Sequence, residues 1–97
     1  MEEKFIFAWR GACEIAQSLG VRMKRTLAAL DDDPMKAAHR ALGGSQVSDG
    51  FEELARLGRL ELSLEAIAVR GQFGSLFTDE EVNTALARLL EAGYNFK

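Results

Sequence analysis

Apolar and polar positions alternate with a helical period along most of this chain, most clearly in its C-terminal stretch. Thr78 followed three residues later by Glu81 is a capping box, in which hydroxyl and carboxylate each satisfy a free backbone N–H. Gly93 can adopt the left-handed conformation that closes a helix. Between them, apolar side chains recur at i, i+3, i+4 and i+7 on one stripe, at Val82, Ala85, Leu86 and Leu89. This pattern predicts a helix over 78–93, and we expect it to be the platform on which shorter segments pack.

The same period predicts three helices in the N-terminal half. The first runs from Glu3 to Leu19 and ends at Gly20, and the second is a short helix from Val21 to Leu30. The third runs from Pro34 to Leu42, since an aspartate before a proline at the first helical position is a strong start signal. The apolar face of the first helix comprises Phe5, Trp9, Ala12, Ala16 and Leu19, widened by Ala8 and Ile15.

The stretch after residue 45 is harder to interpret. Ser48 or Asp49 is placed to cap a short helix that ends at Leu57. Residues 59–65 alternate with the period of a half-buried strand, although Ser63 can also cap a helix over 64–70. A lone strand without a partner is unstable, which favours the helix. Residues 72–77 are expected to form a connecting loop.

These segments amount to five or six short helices, which predicts an all-α fold with a single compact domain over 1–97. Apolar residues make up 47% of the chain and charged residues 28%, an ordinary globular balance. No apolar run approaches the ~20 residues that a bilayer span requires. The first residues lack the basic region and cleavage site of a signal peptide, so we expect a cytoplasmic protein without membrane contact.

Residue types that carry chemistry are sparse, and no cofactor or metal is expected. The lone Cys13 sits among small apolar residues, which favours a buried side chain over a reactive thiol. The triplet 31–33 is consecutive and precedes a proline, unlike the alternating ligands of a calcium loop, so a helix cap is favoured. His39 has no second histidine as a companion. The glycines of residues 71–75 match neither common nucleotide-binding motif. We therefore expect a protein that is not an enzyme.

The charge is uneven along the chain. Residues 1–48 carry seven basic and six acidic side chains, whereas residues 49–97 carry five basic and nine acidic ones. General attraction to nucleic acid is therefore not expected of the whole molecule. A basic set in the second and third helices can still contact a phosphate backbone if these helices form a hairpin, namely Arg22, Lys24, Arg25, Lys36 and Arg40.

Aromatic residues near the C-terminus suggest an interface. Phe73, Tyr94 and Phe96 have no evident place in a helical stripe, and a domain of this size is not expected to cover all of them. The alternative is that the tail folds back onto the core. The leading hypothesis is a small protein-binding module that acts as an accessory subunit, adaptor or inhibitor of a larger machine, with a homodimer as one option. The alternative is a weak nucleic-acid-binding module that uses residues 22–40. The amino-acid sequence of residues 50–81 resembles that of small bacterial and phage proteins. This resemblance implies no activity.

Overall fold

The helices that the sequence pattern predicts are present in the computed structural model, which describes residues 1–94. No strand occurs in that part of the chain, so the all-α prediction is confirmed. Two short 3₁₀ helices, Leu60–Leu62 and Gly71–Leu76, accompany the α-helices. The α-helices are α1 (Glu2–Ser18), α2 (Lys24–Asp32), α3 (Pro34–Gly43), α4 (Phe51–Leu57), α5 (Leu64–Ala68) and α6 (Asp79–Glu91).

The shortest α-helix, α5, lies at the centre. All five of its residues are buried, and α1 and α6 both pack against it. Its start is fixed by Ser63, whose hydroxyl accepts a hydrogen bond from the Ala66 N–H at 3.2 Å. Helix α6 packs against α3 as well as α5, so it supports the C-terminal side of the core. None of the helices described is long and apolar enough to cross a membrane.

The predicted caps of α3 and α6 are confirmed. The carboxylate of Asp33 accepts from the Lys36 N–H at 3.3 Å. Thr78 and Glu81 form both bonds of the capping box, at 3.1 and 2.9 Å. Gly93 has a φ of +80° and closes the last turn of α6.

An aromatic cluster joins α1 to the segment before α6. The ring of Phe5 lies 5.7 Å from Trp9, 5.4 Å from Phe73 and 5.1 Å from Phe77, measured between centroids. The last two contacts are edge-to-face, the geometry that aromatic pairs prefer. All four side chains are buried, so this cluster is part of the core.

Helix α2 begins three residues later than predicted. The Val21 N–H bonds to the Ala16 carbonyl and the Gly20 N–H to that of Gln17, which together close α1 in a Schellman motif. Val21 therefore belongs to the end of α1 and cannot start the next helix. α2 starts at Lys24, where a carboxylate from a distant loop reaches its first turn.

Two other expectations for the second half were wrong. Neither Ser48 nor Asp49 caps α4, because both side chains bond elsewhere and Gly50 occupies the cap position. Residues 72–77 are largely a 3₁₀ helix rather than an open loop. The alternating stretch 59–65 is no strand, and its leucines instead point inward from the 3₁₀ turn and α5.

Candidate functional site

A cleft opens where α2 and α3 meet the segment before α4. Its volume is about 460 Å³. The apolar part of its lining consists of the buried Trp9 and Leu64 together with small side chains of α2 and α3, namely Ala29, Ala37 and Ala41. Because these helices meet through alanines, their backbones pack while the space beside them stays unfilled. The polar part of the lining consists of Arg25, Thr26, Arg40, Ser48 and Asp49.

The structure divides the predicted basic set. Arg25 and Arg40 line this cleft from α2 and α3, whereas Arg22 and Lys24 line a separate groove at the junction of α1 and α2. Lys36 lies in the first turn of α3. All five side chains are exposed, and none forms a hydrogen bond or ion pair through its charged group within residues 1–94. Their charged groups are therefore available to bind an anion, but the five residues do not form a single binding site.

Asp49 is bonded across the cleft to the first turn of α2. Its Oδ2 accepts from the Thr26 N–H at 3.4 Å and from the Thr26 hydroxyl at 3.5 Å. The next residue, Gly50, has a φ of +78°, and a Cβ there would lie 2.5 Å from the Met23 sulfur. Only glycine permits this close approach, which holds Asp49 against the positive end of α2.

Behind Ser48 lies the one fully buried acid of the described chain, Glu65, which no sequence pattern singled out. Glu65 accepts from the Ser48 N–H at 2.9 Å, from its hydroxyl at 2.5 Å and from Arg88 at 3.1 Å. Arg88 also donates to the carbonyls of Ala41 and Gly44. This network fixes the segment between α3 and α4 and thereby one wall of the cleft.

A second feature is the outer face of α1. Phe7, Gly11 and Ile15 follow one another at intervals of four residues, and Leu19 continues the row just past the helix end. Leu19 faces Leu57 across a small groove. We call the row of Phe7, Gly11, Ile15 and Leu19 the α1 ridge. The exposed fractions are 80% for Phe7, 47% for Ile15, 40% for Leu19 and 51% for Leu57. Ile15 and Leu19 were assigned to the apolar face of the first helix, but the structure leaves both exposed.

The predicted aromatic interface is not what the structure shows for Phe73. This residue is fully buried against Phe5, so it is a core residue without surface for a partner. Tyr94 is half-buried and lines a groove with Leu60 and Gly93. Phe96 lies outside the described residues. Sequence reasoning overlooked Phe7, although a phenylalanine on the polar face of a predicted helix was a visible signal.

The other candidates for chemistry have structural positions. Cys13 is fully buried, and this burial, reinforced by the Asp49 carboxylate, raises the pKa of its thiol to about 12. It is thus protonated at neutral pH and a poor nucleophile. Asp31 pairs with Arg10 at 3.3 Å, while Asp33 caps α3. Among residues 1–94 no three potential ligands from histidine, cysteine and acids are grouped to hold a metal ion.

His39 joins α3 to the start of α6. Its Nδ1 lies 2.7 Å from an oxygen of Glu81, and its ring lies 5.3 Å from that of Phe77. Partial burial by itself raises the pKa of Glu81, but hydrogen bonds from the Thr78 backbone and from His39 outweigh it and hold that pKa below its ordinary value. The single histidine therefore has a structural role, because it links α3 to α6 through Glu81.

Comparisons of this chain with protein-family models, with curated proteins and with solved structures found no match. The candidate sites therefore rest on the geometry described above.

Proposed function

We propose that this protein is a non-enzymatic binding module that docks a helix of another protein along the α1 ridge. The observation that carries the proposal is the 80% exposure of Phe7 in the middle of an ordered helix. A large aromatic side chain facing water, in line with further exposed apolar residues, is typical of a surface that a partner covers. Scattered single apolar residues would not have this meaning.

The shape of the α1 ridge favours a helix as the occupant. Its members follow one row of α1 at intervals of four, a row that packs into the groove of a neighbouring helix. Gly11 lies between Phe7 and Ile15, and nothing would contact a Cβ added there. The row therefore presents a notch between two apolar side chains, into which a partner's side chain can insert.

Charge favours a different protein over a second copy. Two acids, Glu3 and Glu14, and one base, Lys4, lie on the same side of α1 as Phe7, and none of the three has an ion-pair partner within residues 1–94. Arg10, between them, is engaged by Asp31 and the Leu30 carbonyl. A pair of α1 helices related by a two-fold axis would bring two copies of this net negative face together, which is unfavourable. The proposed partner helix therefore carries basic residues beside its apolar face.

The test introduces the same charged residue, glutamate, at exposed apolar positions on and off the α1 ridge. Phe7→Glu and Ile15→Glu change the α1 ridge, whereas Leu90→Glu changes a residue that is 65% exposed on α6. A partner captured from lysate is reduced to the segment that binds, and this segment is synthesised as a peptide for titration. We expect Phe7→Glu to weaken binding by about thirtyfold or more, as at an interface hot spot, and Leu90→Glu to leave it unchanged.

Two results would overturn the proposal. Equal binding of the peptide to the parent and to Phe7→Glu would place the partner elsewhere. Self-association of the parent in sedimentation experiments, abolished by Phe7→Glu, would replace the partner helix by a second copy. Circular dichroism and thermal melting of each variant show whether it is folded. The proposal also includes a cytoplasmic location and the absence of catalysis. The binding experiment does not test these two parts, which stay predictions.

Nucleic-acid binding is the second candidate, and the observation in its favour is that all five residues of the basic set are unpaired in the part of the chain that the structure describes. Its test is duplex binding at two salt concentrations. Replacing Arg22, Lys24 and Arg25 by alanine should reduce the salt slope by roughly 0.9 per lost phosphate contact. Absence of binding at ~50 mM salt would remove this candidate.

A further inference from the structure

The cleft between α2 and α3 combines an apolar floor with positive charge at its rim. Its volume of about 460 Å³ falls within the range of about 300–1,000 Å³ of small-molecule sites, which are mostly apolar with a few polar groups. Trp9 and Leu64 form the buried floor, and Ala29 and Ala37 form the sides. These alanines leave space that longer side chains would fill.

The two arginines at the rim differ from the arginines that the fold uses. Arg10 and Arg88 donate to both carboxylates and backbone carbonyls, and Arg59 donates to Glu61. Arg25 and Arg40 donate to no acceptor within residues 1–94. Guanidinium groups that approach one cavity from two helices are suited to bidentate recognition of a carboxylate or phosphate.

The acid in the same cleft does not cancel these charges. The carboxylate oxygen of Asp49 is bonded to the backbone N–H and hydroxyl of Thr26, so its charge is balanced by the N-terminal end of α2. The Ser48 hydroxyl donates to Glu65, whose charge is in turn paired with Arg88. The uncompensated charge at the rim is therefore that of Arg25 and Arg40.

We infer that this cleft binds a small organic anion, with its carboxylate or phosphate group between Arg25 and Arg40 and a flat apolar body over Trp9 and Leu64. This site is separate from the α1 ridge and does not depend on the proposed protein partner. It also gives a role to the two members of the basic set that the fold brings together.

Trp9 provides a direct measurement because it is the only tryptophan of the chain and lines the cleft. Its fluorescence is followed during titration with benzoate and with phenyl phosphate at constant ionic strength. Benzamide serves as the uncharged control of the same shape, and inorganic phosphate as the anion without an apolar body. We expect saturable changes with one or both aromatic anions, and at least about tenfold weaker binding of the two controls. The preferred aromatic anion distinguishes a carboxylate ligand from a phosphate ligand.

Substitutions locate the binding. Arg25→Gln and Arg40→Gln should each weaken the aromatic anion by about tenfold or more, since each removes charged hydrogen bonds. Arg22→Gln changes an exposed arginine outside the cleft that is likewise unpaired within residues 1–94, and it should have no effect. None of the three side chains forms a hydrogen bond or ion pair within the described residues 1–94, so all variants are expected to remain folded, which circular dichroism verifies.

Several outcomes would overturn the inference. Benzamide binding as tightly as benzoate and phenyl phosphate would show an apolar cleft without anion recognition. Equal effects of Arg22→Gln and Arg25→Gln would show general charge attraction instead of a site. A short DNA duplex that binds while neither aromatic anion does would assign the arginines to a nucleic-acid backbone. Absence of any change in Trp9 fluorescence, together with unchanged amide chemical shifts around the cleft, would reject the site altogether.

Discussion

Two acid–base pairs connect α6 to the rest of the molecule, and they differ in burial. In the pair of Glu65 and Arg88, the acid is fully buried and the arginine side chain is 9% exposed. In the pair of Glu81 and His39, the acid is 13% and the histidine 41% exposed. The first pair lies beneath the segment that borders the cleft, and the second lies at the start of α6.

The buried pair is satisfied by several partners, because removal of two charges from water must be balanced by hydrogen bonds. The Ser48 N–H and hydroxyl complete the shell of Glu65, and two backbone carbonyls complete that of Arg88. A network of this kind fixes one geometry for the residues that it joins. We call the pair of Glu81 and His39 the half-exposed pair, because the histidine is 41% exposed. Water is an alternative partner for it, so this pair contributes less to the free energy of unfolding and responds to pH.

The largest expected effect is that of removing one partner of the buried pair. Arg88→Ala leaves the Glu65 carboxylate buried without its counter-ion, and we expect the free energy of unfolding to fall by about 3–5 kcal/mol. The matched control is Arg59→Ala, which removes a pair with Glu61 whose side chains are 41% and 45% exposed. Chemical denaturation should show a loss of no more than about 1 kcal/mol for this control.

Equal losses for Arg88→Ala and Arg59→Ala would contradict the distinction between the two environments. A double variant, Glu65→Leu with Arg88→Met, sharpens it. Replacement of both charges by apolar groups of similar volume should recover much of the stability that Arg88→Ala loses, because no unpaired charge remains.

The sequence predicted those contacts that are local. Asp33 bonds to the residue three positions on, as do Ser63 and Thr78, and such spacing can be read directly. Glu65 meets residues that are 17 and 23 positions away, which no periodic pattern reveals. The same limit applied to Asp49, which looked like a local cap for α4 and instead bonds to α2, 23 residues earlier.

The candidate sites were predictable to different degrees. Arg25 and Arg40 belonged to the predicted basic set, but only the packing of α2 against α3 separates them from the other three members. The interface prediction is wrong for Phe73 because this residue has no place in a helical stripe of the sequence, whereas the 3₁₀ helix around it turns the ring inward. Local pattern gives no measure of such burial.

The capping box of α6 gives the next largest effect. Thr78→Ala removes the acceptor of the Glu81 N–H, and we expect a loss of about 1 kcal/mol in the free energy of unfolding. Thr84→Ala, a change of the same chemistry in the middle of α6, is the control and should cost less, since alanine favours the helix interior. An unchanged denaturation midpoint for Thr78→Ala would mean that the start of α6 contributes little to folding.

The smallest effect is the pH response of the half-exposed pair. The pKa of Glu81 is lowered in the folded protein, so between that value and the unfolded value of about 4.3 the unfolded state binds more protons. The stabilisation is therefore fully present above about pH 5 and is lost as the pH falls through the folded pKa. Glu81→Gln should be less stable than the parent near neutral pH, with a difference that shrinks on acidification.

Denaturation midpoints of the parent and variants between about pH 7 and pH 3 measure this response. Glu80→Gln is the matched control, because Glu80 occupies the same turn of α6 but bonds to neither Thr78 nor His39. Its charge therefore interacts with the same helix end, and Glu80→Gln should leave the pH dependence parallel to that of the parent. If Glu80→Gln flattened the profile as much as Glu81→Gln, the response would come from the general field at the start of α6. A profile that only Glu81→Gln flattens assigns it to the bonds with Thr78 and His39.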